Sequence, residues 1–202
     1  INQDAPCILV GTQMLAKGHD FPYIALAAIL DCDYGFFSAD MRALERMGQL
    51  IIQVAGRAGR ADVPGTVCIQ TQVPEHPLLQ TLIKHDYYQF AQALLEQRKS
   101  ANLPPYSYHA LLRAEAKQAD KIADFFQPMI QFADSFQNIE TLGPVEALLT
   151  KKAGFLREQL LFQSNSRQAL QKFLDQLCKK ITAMKNANKI RWHLDIDPQD
   201  FY

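Results

Sequence analysis

The sequence predicts an α/β chain in two parts, a parallel-sheet part over 1–103 and a small α+β part over 104–202. Three observations carry this. Up to about residue 103, short apolar runs that read as buried strands alternate with helical stretches, and that alternation implies a parallel sheet. "NLPPYS" at 102–107 then interrupts the pattern, because two adjacent prolines block helix continuation. Beyond it the order changes to βαββαβ, the ferredoxin-like or split-βαβ arrangement, which hosts many functions and identifies none by itself.

Taken in order, "APCILVG" (5–11) is a short apolar strand, and "YIALAAILDCD" (23–33) is another, apolar nearly throughout as a strand covered on both faces should be. "SADMRALERMGQLIIQVAG" (38–56) has helical spacing, with Ser38 or Asp40 as candidate N-cap. "GTVCIQT" (65–71) is a third strand. "HPLLQTLIKHDYYQFAQALLEQRKSA" (76–101) reads as one long helix with Pro77 tolerated in its first turn. In the second part "YHALLRAEAK" (108–117) alternates as a strand. "QADKIADFFQPMIQFADSF" (118–136) is helical, and Pro128 is expected to kink or split it. "IETLGPVEALLT" and "FLREQLLFQS" form two strands around the turn "KKAG" (151–154). In "SRQALQKFLDQLCKKITAMK", Leu170, Phe173, Leu174, Leu177, Ile181 and Met184 share one stripe. "KIRWHLDID" places Ile190, Trp192, Leu194 and Ile196 on one face.

The bulk properties leave the function open. Lys+Arg and Asp+Glu both number 21, so there is no global basic field that demands nucleic acid. Charge is nonetheless uneven: three lysines precede residue 104 and nine follow it, and "KKITAMKNANKIR" carries five basic residues and no acid. No apolar run approaches the roughly 20 residues of a membrane span, so no membrane partner is expected. The opening "INQDAPCILVG", without a methionine or a secretory leader, reads as a piece of a longer chain. Cys7, Cys32, Cys68 and Cys178 lie far apart without a CxxC pair, which points to a reducing cytoplasm, no disulfides and no metal site.

Two stretches carry chemistry. "GTQMLAKGHDFP" (11–22) follows the first strand, so Thr12 sits where parallel sheets bind ligands and its hydroxyl can meet a phosphate oxygen. Gly18 permits a tight backbone, and Asp20 can accept from a ribose hydroxyl. "QVAGRAGR" (53–60) closes a helix. Its glycines, Gly56 and Gly59, are either C-caps or a way to keep backbone close to a ligand. Gln53, Arg57 and Arg60 are all side-chain types suited to holding phosphate or nucleotide polar atoms, and arginine's planar fork meets phosphate oxygens in pairs.

In this order and spacing the two stretches resemble motifs V and VI of the superfamily 2 helicases. With "LDCDYGFFSADMRALERMGQLIIQVAGRAGR", "PEHPLLQTL", "NLPPYS" and "WHLDIDP", the chain looks like the bacterial replication-restart helicases over essentially all of its 202 residues, as their C-terminal portion. The resemblance implies that 1–103 is part of a RecA-like second helicase lobe and that 104–202 is a C-terminal DNA- and partner-binding domain. It implies an ATP-dependent 3′→5′ DNA helicase that recognises stalled or branched forks and restarts replication by primosome assembly. Arg57 and Arg60 then approach the ATP γ-phosphate, Arg60 being the first choice for an arginine finger. Gln53 lies at the same edge and Asp20 couples to the nucleotide. Thr12 and Gln13 face the DNA strand, with Lys17 a further phosphate contact. Arg42, Glu45 and Arg46 precede motif VI and are expected to form an exposed ion-paired face.

The sequence holds no GxxxxGK(S/T) phosphate loop and no DExH-type acidic box; "DCDYG" is a poor substitute, on the wrong side of motif V. Phosphoryl transfer needs a phosphate cradle, a metal-held carboxylate and an arginine together. ATP and Mg²⁺ are therefore expected to be shared with a first lobe outside this sequence, and the chain alone is expected to be inactive. The family's paired-cysteine zinc module is likewise expected upstream, with no zinc bound by this chain.

In the second part, "TKKAGFLR" interleaves Lys151, Lys152, Phe155 and Arg157, a mixture suited to nucleic-acid backbone and bases and equally to a plain solvated hairpin. Arg167 and Gln171, one helical turn apart, match the family's positions for holding the C-terminal tail of the single-stranded DNA-binding protein. Implied partners are branched and single-stranded DNA, that tail and other primosome proteins; the implied location is the bacterial cytoplasm, at the nucleoid. The alternatives are a non-catalytic nucleic-acid-binding module and an RNA helicase-like translocase.

Overall fold

The computed structural model describes residues 7–12, 24–38, 40–58, 65–185 and 189–200. The chain divides into two compact units, Ile1–Leu94 and Leu95–Tyr202.

In the first unit β1 (Leu26–Ile29) and β2 (Thr66–Ile69) pair in parallel, from Leu26↔Thr66 to Ile29↔Ile69. Short α1 (Tyr34–Phe37) and α2 (Ala43–Ala55) lie between them in sequence; α3 (Pro77–Ile83) follows, and then α4 (Tyr87–Ser100), whose residues up to Leu94 belong to this unit. Ile29, Met47, Ile51, Leu78, Leu79, Leu82 and Phe90 form the buried cluster that seats α2.

Four expectations are corrected here. Residues 7–12 adopt no strand and have no ladder partner among the described residues; Ile8 is 93% and Val10 84% exposed. β1 is not covered on both faces, since Leu26 and Leu30 are exposed beside a buried Ile29; a two-stranded sheet with one packed helix layer covers one side. The helix begins at Ala43, not 38. Ser38 and Asp40 spend their side chains on the preceding turn: Ser38 Oγ accepts from Asp40 N at 3.1 Å and Asp40 Oδ1 from Arg42 N at 2.9 Å, leaving Arg42 at the cap position. The expected long helix is two. His85, at φ 58°, breaks it, and Asp86 Oδ1 restarts it by accepting from Gln89 N at 2.8 Å. Pro77 does sit in the first turn of α3, where His76 Nδ1 accepts from Leu78 N at 3.3 Å.

The second unit is βαββαβ: β3 (Tyr108–Ala116), α5 (Ala119–Ala133), β4 (Glu140–Lys152), β5 (Phe155–Ser164), α6 (Arg167–Ala183) and β6 (Arg191–Ile196). The four strands form one antiparallel sheet in the order β4-β5-β3-β6. One sheet face, with Ala110, Leu112, Ala114, Leu160 and Phe162, packs against Ile122, Phe126 and Met129 of α5 and Leu170, Phe173, Leu177 and Ile181 of α6. The predicted α6 stripe is thus the core face, and Ser166 caps its first turn by accepting from Ala169 N at 3.3 Å.

Three details differ from expectation. Pro128 does not split α5, which runs continuously through it. An interior proline costs about 3 kcal/mol, and burial of Phe125, Phe126, Met129 and Ala133 on the same helix offsets it. β3 does not alternate in burial, because its second face is covered too: His109 is 1%, Leu111 1% and Arg113 8% exposed. Arg113 holds the C-terminal stretch onto that face, donating from Nη1 to Asp195 Oδ2 at 2.9 Å and His193 Nε2 at 3.1 Å, and from Nη2 to the Asp200 carbonyl at 2.8 Å. Lastly, Lys151 and Lys152 belong to β4. The turn is only Ala153 and Gly154, at φ 49° and 82°, the two left-handed positions of a tight hairpin loop.

Candidate nucleotide edge and nucleic-acid interface

In the first unit the candidate edge is built at the end of α2. Met47 and Ile51 bury one stripe of that helix, which leaves Gln53 exposed and carries the chain to Gly56 and a half-buried Arg57. Gly56 N donates to Ile52 O, and Arg57 N and Ala58 N both donate to Val54 O, so a tight turn closes the helix. Gly56 has φ −70°, a right-handed conformation open to any residue. A Cβ there would meet Ile52 O at 3.4 Å, ordinary contact, so ending the helix does not itself demand a glycine. Gln53 and Arg57 are thus one turn apart with a Cβ-free backbone between them. Gly59 and Arg60 lie outside the described residues, as do Gln13, Lys17, Gly18 and Asp20; Thr12 is described and exposed.

The carboxyl ends of β1 and β2 are stitched together just beyond the strands. Cys32 N donates to Gln70 O at 3.2 Å, and Asp33 accepts from the Thr71 hydroxyl and from Gln72 N. Asp33 is buried and committed to this tie, the reverse of a carboxylate presented to a metal ion. Burial, with Asp33 and Asp31 nearby, pushes the Cys32 thiol up to about 11. In the first turn of α2, Arg46 Nη1 meets Oδ2 of Asp40, from the turn before the helix, at 2.7 Å; the carboxylate is buried and the arginine half exposed.

In the second unit Lys151 and Lys152 are exposed at the end of β4, opposite Leu156 and Phe155. Arg157 is different: its Nε donates to Glu115 Oε1 at 2.8 Å and its side chain is 14% exposed. Lys117, which the sequence did not single out, and Arg191, the last of the five basic residues in "KKITAMKNANKIR", both approach the Phe155 ring. They lie 74 positions apart, and only the cross-strand register brings them together. Arg167 opens α6 and Gln171 follows one turn later, both exposed. On the same helix Gln168, Lys172 and Gln176 line a shallow cavity of about 420 Å³ with Phe136 and Ile139.

Fold and site together define a mixed α/β chain with a small parallel sheet, a four-stranded antiparallel βαββαβ unit and a basic, aromatic end to the second sheet. Residues 99–199 match the model of the Primosomal protein N C-terminal domain, and the chain belongs to that family. It is 46% identical over 207 residues to Replication restart protein PriA of Haemophilus influenzae, covering 99% of this chain and 27% of that protein. The protein of the same name from Rickettsia conorii is 36% identical over 195 residues, 96% of this chain and 30% of the relative. That from Bacillus subtilis is 32% identical over 193 residues, 95% and 24%. The chain therefore spans about a quarter to a third of the length of these relatives.

Proposed function

We propose that this chain is the C-terminal part of an ATP-dependent 3′→5′ DNA helicase that restarts replication at stalled or branched forks through primosome assembly. The likeness to Replication restart protein PriA along 99% of the chain carries this reading. Its first unit contributes to a RecA-like second lobe. The parallel β1–β2 pair and the Gln53–Gly56–Arg57 helix end support that assignment.

In this reading the nucleotide sits between this chain and a first lobe that supplies the phosphate cradle and the carboxylate for Mg²⁺. Arg57 and Arg60 point their charge at the γ-phosphate, where transition-state charge develops. Gln53 and Asp20 hold the nucleotide, and Gly56 and Gly59 let it come close. Thr12, Gln13 and Lys17 contact the DNA strand. In the second unit the Lys151–Lys152 hairpin contacts DNA, and Arg167 and Gln171 hold the tail of the single-stranded DNA-binding protein. Zinc belongs elsewhere in the full protein.

The test uses the complete protein. Arg60→Ala should lower DNA-stimulated ATP turnover by about 10³-fold or more with ATP affinity changed little; turnover near wild type removes Arg60 from the role. Arg167→Glu should leave turnover intact and weaken binding of a tail peptide, and unchanged peptide affinity excludes that site.

A further inference from the structure

One end of the second sheet gathers cations from four separate places in the sequence. Glu115 of β3 faces Arg157 of β5 on one side and Arg191 of β6 on the other, and Lys152 of β4 faces Phe155. Lys117 lies one residue beyond β3. The Arg191 guanidinium carbon is 4.3 Å from the Phe155 ring centre, and the Lys117 ammonium is 5.9 Å from it. Lys117, Lys151, Lys152 and Arg191 are exposed, and none forms an ion pair among the described residues. Glu115, the carboxylate in that register, is already engaged by Arg157.

We propose that this sheet end holds single-stranded DNA, with an unpaired base on the Phe155–Arg191 platform and flanking phosphates on Lys117, Lys151 and Lys152. This rests on the reading that the second unit contacts DNA, and it names the strand state and adds two residues. Three ligand chemistries suit a cluster of cations. An acidic peptide satisfies the charges and leaves the aromatic–guanidinium surface without a planar partner. A duplex satisfies them too, but keeps its base faces stacked on one another. A single strand offers phosphates and free base faces together, and stacking on aromatic rings and arginine planes is how unpaired bases are held. Arg157 is then a positioning residue, which neutralises Glu115 beside the strand.

The test is anisotropy of a labelled oligothymidylate, roughly 12 to 16 nucleotides long, with the 202-residue chain at several salt concentrations. Thermal melting verifies that each variant is folded. Phe155→Leu should weaken binding about five-fold or more, the lower end of what one stacked base contributes, and leave binding to an abasic strand of the same length unchanged. Lys117→Ala and Arg191→Ala should each reduce the slope of log affinity against log salt by about 0.7. Arg191→Lys should restore that slope without restoring the preference for strands that carry bases. Equal loss on the abasic strand, or tighter binding of duplex or of polyglutamate, overturns the proposal. So do unchanged slopes in the Lys117 and Arg191 variants. If those variants behave as wild type while Lys151→Ala/Lys152→Ala loses affinity, DNA contact stands and this placement fails. If the double variant is also unaffected, both fail.

Discussion

His109 shows how much a single buried side chain can determine. Ser107 Oγ donates its proton to the Asn102 carbonyl at 2.6 Å, so toward His109 Nε2, 3.1 Å away, it must accept. The imidazole therefore carries its proton on Nε2, and Nδ1 has no partner among the described residues. Protonating Nδ1 would bury a charge with no acceptor. Burial accordingly pushes the pKa of His109 below its usual range, against smaller opposing influences from Gln163 and Asp197. The sign follows: above the unfolded value of about 6.5 both states are neutral and nothing is lost. Below it the unfolded chain takes up a proton that the folded chain refuses, so stability falls as pH drops until the folded pKa is reached. The chain's single tryptophan, Trp192, packs on the core of the same unit and reports its unfolding. Urea midpoints followed by Trp192 fluorescence should fall between about pH 7 and pH 5.5, and fall less in His109→Gln. Identical pH dependence in the two proteins refutes the assignment. Little of this was legible beforehand, because the sequence shows a histidine in a strand but not the hydroxyl and carbonyl that fix its tautomer. The helix end that carries Gln53 and Arg57 was legible, because it follows from one helix's own period. Arg191 was legible only as part of a basic stretch, and its meeting with Lys117 at Phe155 was not, because strand register alone unites them.

Among elements, α2 was read correctly as an amphipathic helix and incorrectly at its start. Its buried stripe depends on one helix's own period, whereas its cap depends on which turn Ser38 and Asp40 close first. The same contrast separates α6, whose six-residue stripe was predicted, from the α3–α4 break, where Asp86 as a restarting cap was a signal present in "HDYYQ" and overlooked. β3 was misjudged because a strand's second face is covered by whatever the chain brings to it, here the stretch held by Arg113. Helix α2 also carries a tolerance set by packing rather than by propensity. A Cβ on Gly48 would stand 2.4 Å from Cε1 and 2.6 Å from Cζ of the Phe90 ring, and Phe90 is fully buried. Alanine gains up to about 1 kcal/mol in a helix interior over glycine, while overpacking typically costs about 1 to 3 kcal/mol. Gly48→Ala should therefore destabilise the first unit on balance. Gly48→Ala combined with Phe90→Leu should recover part of the loss. A single variant as stable as wild type in thermal melting would mean that the α2–α4 contact yields easily.

For the whole molecule, the architecture was visible in outline: strands alternating with helices, then βαββαβ, and an apolar pattern that names most of the second core. What the sequence could not reveal was the incompleteness of the first unit's cover, seen in exposed Ile8, Val10, Leu26 and Leu30. On the proposed reading the chemistry has the same one-sided character. An arginine finger contributes about 10³ to 10⁵ in rate, roughly 4 to 7 kcal/mol of barrier. That gain exists only where the γ-phosphate is already cradled and its charge shared with a metal held by a carboxylate. The sequence holds neither phosphate-loop nor acidic-box residues, and the buried carboxylate after β1, Asp33, is tied to Thr71 and Gln72. The purified 202-residue chain should therefore hydrolyse ATP no faster than background, with or without DNA, while still binding an oligothymidylate. Release of phosphate from ATP, with DNA titrated in, is the measurement. DNA-stimulated turnover by the chain alone would show that it carries its own phosphate cradle, and would overturn the division of the site between two lobes.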